Sequence, residues 1–355
     1  MLISIQKRDN IVEFSSAIDR FVSSVYFQNY VSSNYFTSLL RYEVDFDEIG
    51  NLSRKRFGGP VCRCFSRLDN KLIVITGATS GIGLVVAQLL ANRGASIIFT
   101  ARNSDEGIVI QNYLRAATKN PKIYCKYLDL NDFVSIHKFV LHVNQACSTV
   151  DLLINNAGVF FHPPSETVDK FDVTFQTNYL GHFLLTELLL PKLAATSRII
   201  FLSSAAHFLA KSLDVKTVAA FDPEAGGLSA RFQSYANSKL CLLLYSKILA
   251  QRCKERTINV YSVDPGSVET SIYRHFPFLQ NPILKALQRP IRYIVVRTPL
   301  QGAQTVLHCA VSPHLSKETG LYYSDLVSKT PSDLSQDVEL STHLYDYSRL
   351  WTGLV

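Results

Sequence analysis

Tyr235 and Lys239 are the residues of this 355-residue sequence whose types and spacing point most directly to catalysis. They are four positions apart in a segment with a helical pattern, so their side chains share one face of the helix. A phenol with a pKa of about 10 is a poor acid–base group at neutral pH. A lysine cation a few ångströms away favours the phenolate and lowers that pKa. The pair therefore predicts proton transfer to or from a substrate oxygen.

Further polar residues are candidates for the same site. Ser203 and Ser204 close a predicted strand, where a hydroxyl can hydrogen-bond a substrate oxygen. Asn178 lies in a predicted helix before that strand and could hold a water that relays protons to Lys239. Each residue alone is common in structural roles, so the prediction depends on their order in one α/β frame.

A glycine-rich segment, Thr76–Gly83, follows a short apolar run and precedes a helical pattern. Glycines at a strand-to-helix turn let the backbone approach a pyrophosphate, and the helix N-terminus supplies free N–H groups. The spacing is Gly-x-x-x-Gly-x-Gly rather than the more common Gly-x-Gly-x-x-Gly. The residues expected to contact a dinucleotide in this segment are Gly77, Thr79, Ser80, Gly81, Ile82 and Gly83.

Arg102, after the second predicted strand, bears on the choice of cofactor. NAD sites usually place an Asp or Glu there to hold the ribose 2′-hydroxyl, whereas a guanidinium matches the 2′-phosphate of NADP. The sequence therefore favours NADP(H) over NAD(H); the alternative is an exposed loop arginine. The ends of the third and fourth predicted strands add further expected cofactor contacts, which are Asp129, Leu130, Asn155, Ala157 and Gly158.

The elements that must position these residues follow from alternating patterns beginning at Lys71. Apolar runs that suit strands buried on both faces are Leu72–Ile75, Ser96–Thr100, Ile123–Leu128, Leu152–Ile154, Arg198–Leu202, Ile258–Val263 and Leu321–Tyr323. Helical patterns separate them at Gly81–Arg93, Asp105–Ala117, Asp132–Cys147, Phe171–Leu193, Tyr235–Gln251 and Leu300–Ala310. This alternation predicts an α/β fold with a Rossmann-type, doubly wound parallel sheet.

Composition supports one folded domain with an appendage at each end. Hydrophobic residues make up 47% of the chain and charged residues 18%, which excludes a disordered or collagenous protein. We expect a poorly specified extension over residues 1–68, a nucleotide-binding domain over 69–330, and a tail, 331–355, that docks as a helix. There is no secretory signal pattern and no apolar run of about 18 residues, so we expect no transmembrane helix.

Seven scattered cysteines favour reduced thiols and an intracellular location. Cys62 and Cys64 are close in sequence, but no second close pair completes a four-ligand zinc site, so no metal is expected.

The formal net charge of +7 is concentrated rather than spread. Residues 271–300 hold no acidic residue and five basic ones, which are Arg274, Lys285, Arg289, Arg292 and Arg297. An apolar stripe with basic flanks suits peripheral contact with a membrane of the endoplasmic reticulum type. The alternative is a lid packed on its own core in a cytoplasmic protein. Neither interpretation requires nucleic acid as a partner.

The sequence leaves the oligomeric state open, with a homo-oligomer as one option.

Taken together, Thr76–Gly83, Asn155–Gly158, Asn178, Ser204, Tyr235 and Lys239 resemble the motifs of the short-chain dehydrogenase/reductase family, over about residues 69–330. The segment 265–270 resembles that family's loop after the sixth strand and adds Pro265, Gly266, Val268 and Thr270 as expected cofactor contacts. Segments 178–183, 203–207 and 298–303 resemble the retinol dehydrogenase branch, which includes an X-linked dehydrogenase/reductase homologue. Many branch members carry an N-terminal membrane helix, for which residues 1–68 have no adequate apolar span.

This resemblance implies NADP(H)-dependent interconversion of an apolar alcohol and its aldehyde or ketone, of the retinoid, steroid or isoprenoid kind. It implies Asn178, Ser204, Tyr235 and Lys239 as the catalytic set, with Ser204 also binding the substrate. A catalytically idle nucleotide-binding scaffold of the same fold is the main alternative, which the complete catalytic set disfavours. An epimerase is a third option, which the basic segment and the retinol dehydrogenase-like segments disfavour.

Overall fold

The computed structural model describes residues 59–276 and 296–354. Most of the predicted N-terminal extension and residues 277–295 of the basic segment lie outside the described residues. Within the described ranges, no helix is both long and apolar enough to cross a membrane.

The fold is built on one eight-stranded sheet with the strand order β3-β2-β1-β4-β5-β6-β7-β8. The strands are β1 (Leu72–Ile75), β2 (Ser96–Ala101), β3 (Ile123–Tyr127), β4 (Val150–Asn155), β5 (Leu193–Leu202), β6 (Asn259–Asp264), β7 (Leu321–Ser324) and β8 (Val327–Lys329). The first seven are parallel to their neighbours, and β8 pairs antiparallel with β7. The predicted Rossmann-type class is therefore confirmed.

The helices that cover the sheet are α1 (Gly81–Ala91), α2 (Ser104–Thr118), α3 (Phe133–Ala146), α4 (Val173–Phe175), α5 (Gly181–Leu189), α6 (Leu228–Arg252), α7 (Pro299–Val311) and α8 (Val338–Thr352). The central strands are buried by helices on both faces; Val74, Leu153 and Ile199 are 0% exposed. That burial is the reason these strands appear in the sequence as continuous apolar runs.

The segment predicted as one helix, Phe171–Leu193, is divided in the structure. A π-helical turn, Gln176–Leu180, separates α4 from α5, and a short 3₁₀ turn containing Pro191 ends the helix. Strand β5 then begins at Leu193, earlier than the predicted start at Arg198. Proline cannot continue a helix, which accounts for the early end.

Strand β8 was not predicted. It is joined to β7 by a tight turn in which Asp325 and Leu326 both have positive φ, at 57° and 65°. Such turns usually carry Asn or Gly, so this pair lacks the expected sequence signal.

The C-terminal helix α8 packs on the domain. The hydroxyls of Ser348 and Tyr179 are 2.7 Å apart in a buried hydrogen bond, and Trp351 makes edge contacts with Phe171 and Phe175.

Candidate functional site

A cavity of about 530 Å³ opens at the carboxyl edge of the sheet, between β1 and β4. Strands β2 and β3 are added on one side of β1, and β4 to β8 follow on the other, so the order of the strands reverses at this point. Ligands of doubly wound sheets bind at this point, because the loops leaving the two strands separate there. The cavity is lined by most of the predicted site residues, which are Gly77, Thr79, Ser80, Gly81, Ile82, Gly83, Arg102, Asp129, Leu130, Ala157, Gly158, Ser204, Tyr235, Lys239, Pro265, Gly266, Val268 and Thr270.

The glycine-rich turn is shaped by close contact with the end of β4. Gly77 has a φ of 66°, and a Cβ added there would lie 2.7 Å from the Cα of Ala157. A Cβ on Gly83 would lie 2.4 Å from the Asn156 side-chain nitrogen. Both positions therefore exclude any larger residue, and the turn keeps its backbone exposed to the cavity.

Asn155, predicted to contact the cofactor, does not line the cavity. Its side chain is 1% exposed and donates a hydrogen bond of 3.0 Å to the Thr186 hydroxyl. Asn156 lines the cavity instead, and its amide donates to the carbonyls of Thr76 and Gly77 at 2.8 and 2.9 Å. The alternation of side chains along a strand decides which asparagine faces the loop, and the strand end could not be located to one residue from sequence.

Asn178 is also outside the cavity wall and fully buried. Its Oδ1 accepts from the Val159 amide at 2.8 Å, and its Nδ2 donates to the Val159 carbonyl and the Ser238 hydroxyl at 3.0 Å each. The π-helical turn aims the amide in this direction. A Cβ added to Gly158 would lie 3.2 Å from Asn178 Oδ1 and 3.7 Å from Lys239 Nζ, so this glycine separates the two polar groups.

Ser204, Tyr235 and Lys239 meet at the other side of the cavity. The Ser204 hydroxyl lies near the Tyr235 hydroxyl and acts to lower its pKa. The ammonium of Lys239 donates to the Leu202 carbonyl at 2.8 Å and lies 5.6 Å from the centre of the Tyr235 ring. Tyr235 and Lys239 both project from α6, as the spacing predicts.

The electrostatics of this group differ from the expectation for a lysine-activated phenol. Burial raises the pKa of Tyr235, an effect that the nearby Ser204 hydroxyl partly opposes. Burial also lowers the pKa of Lys239 to about 7, against the opposing effect of the Asp264 carboxylate. Among the protein groups alone, desolvation therefore outweighs the attraction between ammonium and phenolate. Asp264, 6% exposed at the end of β6, was not identified from the sequence.

The end of the cavity near Arg102 holds a second guanidinium that was also missed. Arg274 lines the cavity from a short 3₁₀ helix, Ser271–His275, that lies against the glycine-rich turn. Ser271 and Ser80 are joined by a hydroxyl contact of 3.0 Å. Burial raises the pKa of Glu106, while the nearby charges of Arg102 and Arg274 act in the opposite direction. Both cations thus lie near the start of α2.

Aromatic side chains form the wall beside Tyr235. Phe160 contacts the Tyr235 ring at 4.7 Å between centroids, and Phe232 and Tyr273 at 6.1 and 5.5 Å complete an edge-to-face cluster around Phe160. Ile272 packs against the same cluster. These residues come from three separate parts of the chain, so no local sequence pattern could have grouped them.

Arg297, one of the basic residues of 271–300, makes its contacts within the domain. Its guanidinium pairs with Asp325 and donates to the Pro265 carbonyl at 3.1 Å. With Arg274 at the cavity, two of the five basic residues of that segment are accounted for by the domain itself. The other three lie outside the described residues.

The fold agrees with comparisons with known proteins. The family model for short chain dehydrogenases matches residues 71–213. Retinol dehydrogenase 12 of Homo sapiens is 36% identical over 297 residues, covering 83% of this chain and 90% of that protein. Retinol dehydrogenase 13 of Mus musculus is 33% identical over 302 residues, covering 83% and 88%. The chain belongs to the short-chain dehydrogenase family of oxidoreductases. Within that family it is similar to the retinol dehydrogenases.

A solved structure shares the fold at lower sequence identity. The RhlG/NADP active-site complex of Pseudomonas aeruginosa superposes with a TM-score of 0.57 at 22% identity, covering 73% of this chain and 95% of that chain.

Proposed function

We propose that this protein is an NADP(H)-dependent oxidoreductase that interconverts an apolar alcohol and its aldehyde or ketone. The observation that carries the proposal is a single cavity that holds the glycine-rich turn at one end and Tyr235, Ser204 and Lys239 beside an aromatic wall at the other. The names of the relatives, retinol dehydrogenases, support an alcohol or aldehyde substrate.

The residues present fit a dinucleotide. Gly77 and Gly83 let the turn pack closely against the end of β4. The first turn of α1 borders the cavity, so backbone N–H groups are available for a pyrophosphate. Arg102 and Arg274 would hold the 2′-phosphate, for which guanidinium groups are suited in charge and geometry. When bound, the nicotinamide supplies or accepts the hydride.

In the reducing direction, Tyr235 donates its proton to the carbonyl oxygen of the substrate. Ser204 donates a hydrogen bond to the same oxygen and stabilises the charge that develops there. Lys239, when protonated, stabilises the phenolate that Tyr235 becomes. Asn178 holds the loop after β4 in place through both of its amide atoms. We propose that a water beside Gly158 relays protons to Lys239. Oxidation of an alcohol uses the same groups in reverse.

The aromatic wall supports an apolar substrate. The side chains around Tyr235 are Phe160, Phe232, Ile272 and Tyr273, and they offer one hydroxyl besides that of Tyr235. A sugar-nucleotide substrate would need several hydrogen-bonding groups at this position, so the cavity disfavours an epimerase.

The proposal is tested by following NADPH consumption with retinal, steroid ketones and isoprenoid aldehydes. We expect turnover with at least one of these apolar carbonyls. Tight NADPH binding without turnover of any alcohol or carbonyl would instead support the catalytically idle scaffold.

Replacement of Arg102 by alanine tests the cofactor choice. We expect the KM for NADPH to rise roughly 10- to 100-fold, because charge-assisted hydrogen bonds to the 2′-phosphate are lost, while the KM for NADH stays unchanged. Lys138→Ala, at an exposed position on α3, is the matched control and should change neither constant. Equal changes for both cofactors would contradict a role for Arg102 at the phosphate.

We also propose peripheral contact with an endoplasmic-reticulum-type membrane through residues 271–300. The support is the sequence alone, and the net charge left for that role is smaller once Arg274 and Arg297 are assigned to the domain. Flotation of the protein with anionic liposomes, reversed by salt, is the expected result; absence of flotation would contradict it.

A further inference from the structure

Two thiols and an imidazole outside the cofactor cavity converge on one point. Cys62 and Cys64 lie in the segment before β1, and His308 lies on α7, 244 residues beyond Cys64. The two sulfur atoms and a ring nitrogen all lie within 4.8 Å of one another. Cys64 Sγ is 3.9 Å from His308 Nδ1. The sequence prediction of no metal site considered only cysteine pairs and missed this histidine.

We propose that Cys62, Cys64 and His308 form a binding site for Zn²⁺ that fastens the segment before β1 to helix α7. Thiolate and imidazole are the ligands that zinc prefers in proteins. With Zn–S and Zn–N bonds of about 2.3 and 2.0 Å, tetrahedral ligand atoms lie about 3.5–3.8 Å apart. The three side chains therefore need to move by about 1 Å or less to bind the ion.

The backbone around the cluster is held independently of the three side chains. The Cys62 amide donates to Gln304 Oε1 at 3.1 Å, and Gln304 in turn donates to the Leu300 carbonyl at 2.9 Å. The Ser66 hydroxyl donates to the Val311 carbonyl at 3.0 Å. These contacts fix the segment against the middle and the C-terminal end of α7, so the ligands are preorganised and binding costs little chain entropy.

The Arg93 guanidinium favours thiolates at the cluster, whereas burial raises the pKa of the Cys62 thiol to about 11. Arg93 donates to the Cys64 carbonyl at 3.2 Å, and its Nε is buried without a hydrogen-bond partner among the described residues. Zinc binding releases the two thiol protons to solvent and leaves a ZnS₂N centre with no net charge. The buried Arg93 guanidinium and Zn²⁺ repel each other because both are positive. The negative charges of the two thiolates offset this repulsion. Cys64 and His308 are half-buried, so the fourth position is open to water.

The experiment uses the full-length protein, freed of metal by a chelator and given one equivalent of Zn²⁺. We expect about one zinc per chain after desalting, by elemental analysis, and a rise of about 5 °C in melting temperature with excess zinc. Replacement of zinc by Co²⁺ should produce a sulfur-to-cobalt charge-transfer band in the near ultraviolet.

Cys64→Ser and His308→Gln should each weaken zinc binding by about 100-fold or more. Cys147→Ser, at a half-buried thiol that is in no such cluster among the described residues, is the matched control and should bind zinc as the wild type does. Circular dichroism and NADPH binding establish that each variant is folded. A wild-type protein that retains no zinc, or that retains no more than Cys64→Ser, would overturn the proposal.

Discussion

The Tyr235→Phe variant is expected to lose about 10³-fold in kcat for reduction of its apolar carbonyl substrate, with little change in KM. The phenol hydroxyl is the proton donor in the proposed mechanism, and positioned general acids contribute about 10²- to 10⁴-fold. Phenylalanine keeps the ring contact with Phe160, so the aromatic wall and the cofactor site stay in place. Steady-state kinetics with saturating NADPH measure the effect.

Tyr273→Phe is the matched control for this prediction. Tyr273 belongs to the same aromatic wall, and its hydroxyl lies 3.2 Å from the Ser267 hydroxyl rather than against Ser204. We expect its kcat to stay within about threefold of the wild type, as for a side chain that makes no bond in the transition state. A Tyr235→Phe enzyme that is folded, binds NADPH and turns over at the wild-type rate would exclude Tyr235 as the acid.

Replacement of Lys239 by methionine is expected to have the second largest effect, a loss of about 10²- to 10³-fold in kcat. Methionine has a similar length and no charge, so it removes the cation that stabilises the Tyr235 phenolate while preserving the packing of α6. The pH dependence gives a second measurement. Because burial lowers the pKa of Lys239 to about 7, the ammonium is present below that pH and lost above it. The wild-type rate of reduction should therefore fall as the pH rises through about 7, and the variant should lack this inflection.

Lys247→Met is the control for the loss of a lysine on the same helix. Lys247 is half-buried on α6, and burial lowers its pKa too, but it does not line the cavity. We expect its kcat and pH profile to match the wild type. If Lys247→Met and Lys239→Met lowered kcat equally, the effect would be structural rather than catalytic. An unchanged inflection in Lys239→Met would show that another group titrates.

Much of the fold follows from the sequence because its signals are local. Strands buried on both faces must be apolar throughout, and helices must repeat their apolar positions at a different period. The predicted range of β1 matches the structure, and those of β2, β3 and β6 differ from it by no more than one residue at each end. The predictions were least accurate in 171–193, where a π-helical turn interrupts a helix without a sequence signal. The antiparallel strand β8 was missed for a similar reason, since its turn lacks the usual residues.

In the candidate site too, some features could be predicted from local spacing and others could not. Tyr235 and Lys239 could be paired from their spacing, because helix geometry places positions four apart on one face. The same kind of spacing did not distinguish Asn155 from Asn156, because a shift of one residue in a strand turns a side chain to the opposite face. The sequence also could not predict the direction in which the pKa values of Tyr235 and Lys239 shift, because that direction depends on how completely both groups are removed from water.

By itself, the sequence determined the order of strands and helices, the glycine-rich turn and the placement of Tyr235 and Lys239 on one helix face, because each is encoded within a few neighbouring residues. Only the tertiary structure decided what distant segments do together. It brought Arg274 to the end of the cavity that holds Arg102, paired Arg297 with Asp325, and placed His308 beside Cys62 and Cys64. Contacts between segments that are far apart in the sequence depend on how elements pack, and packing is set by the shape and burial of the whole domain rather than by local spacing.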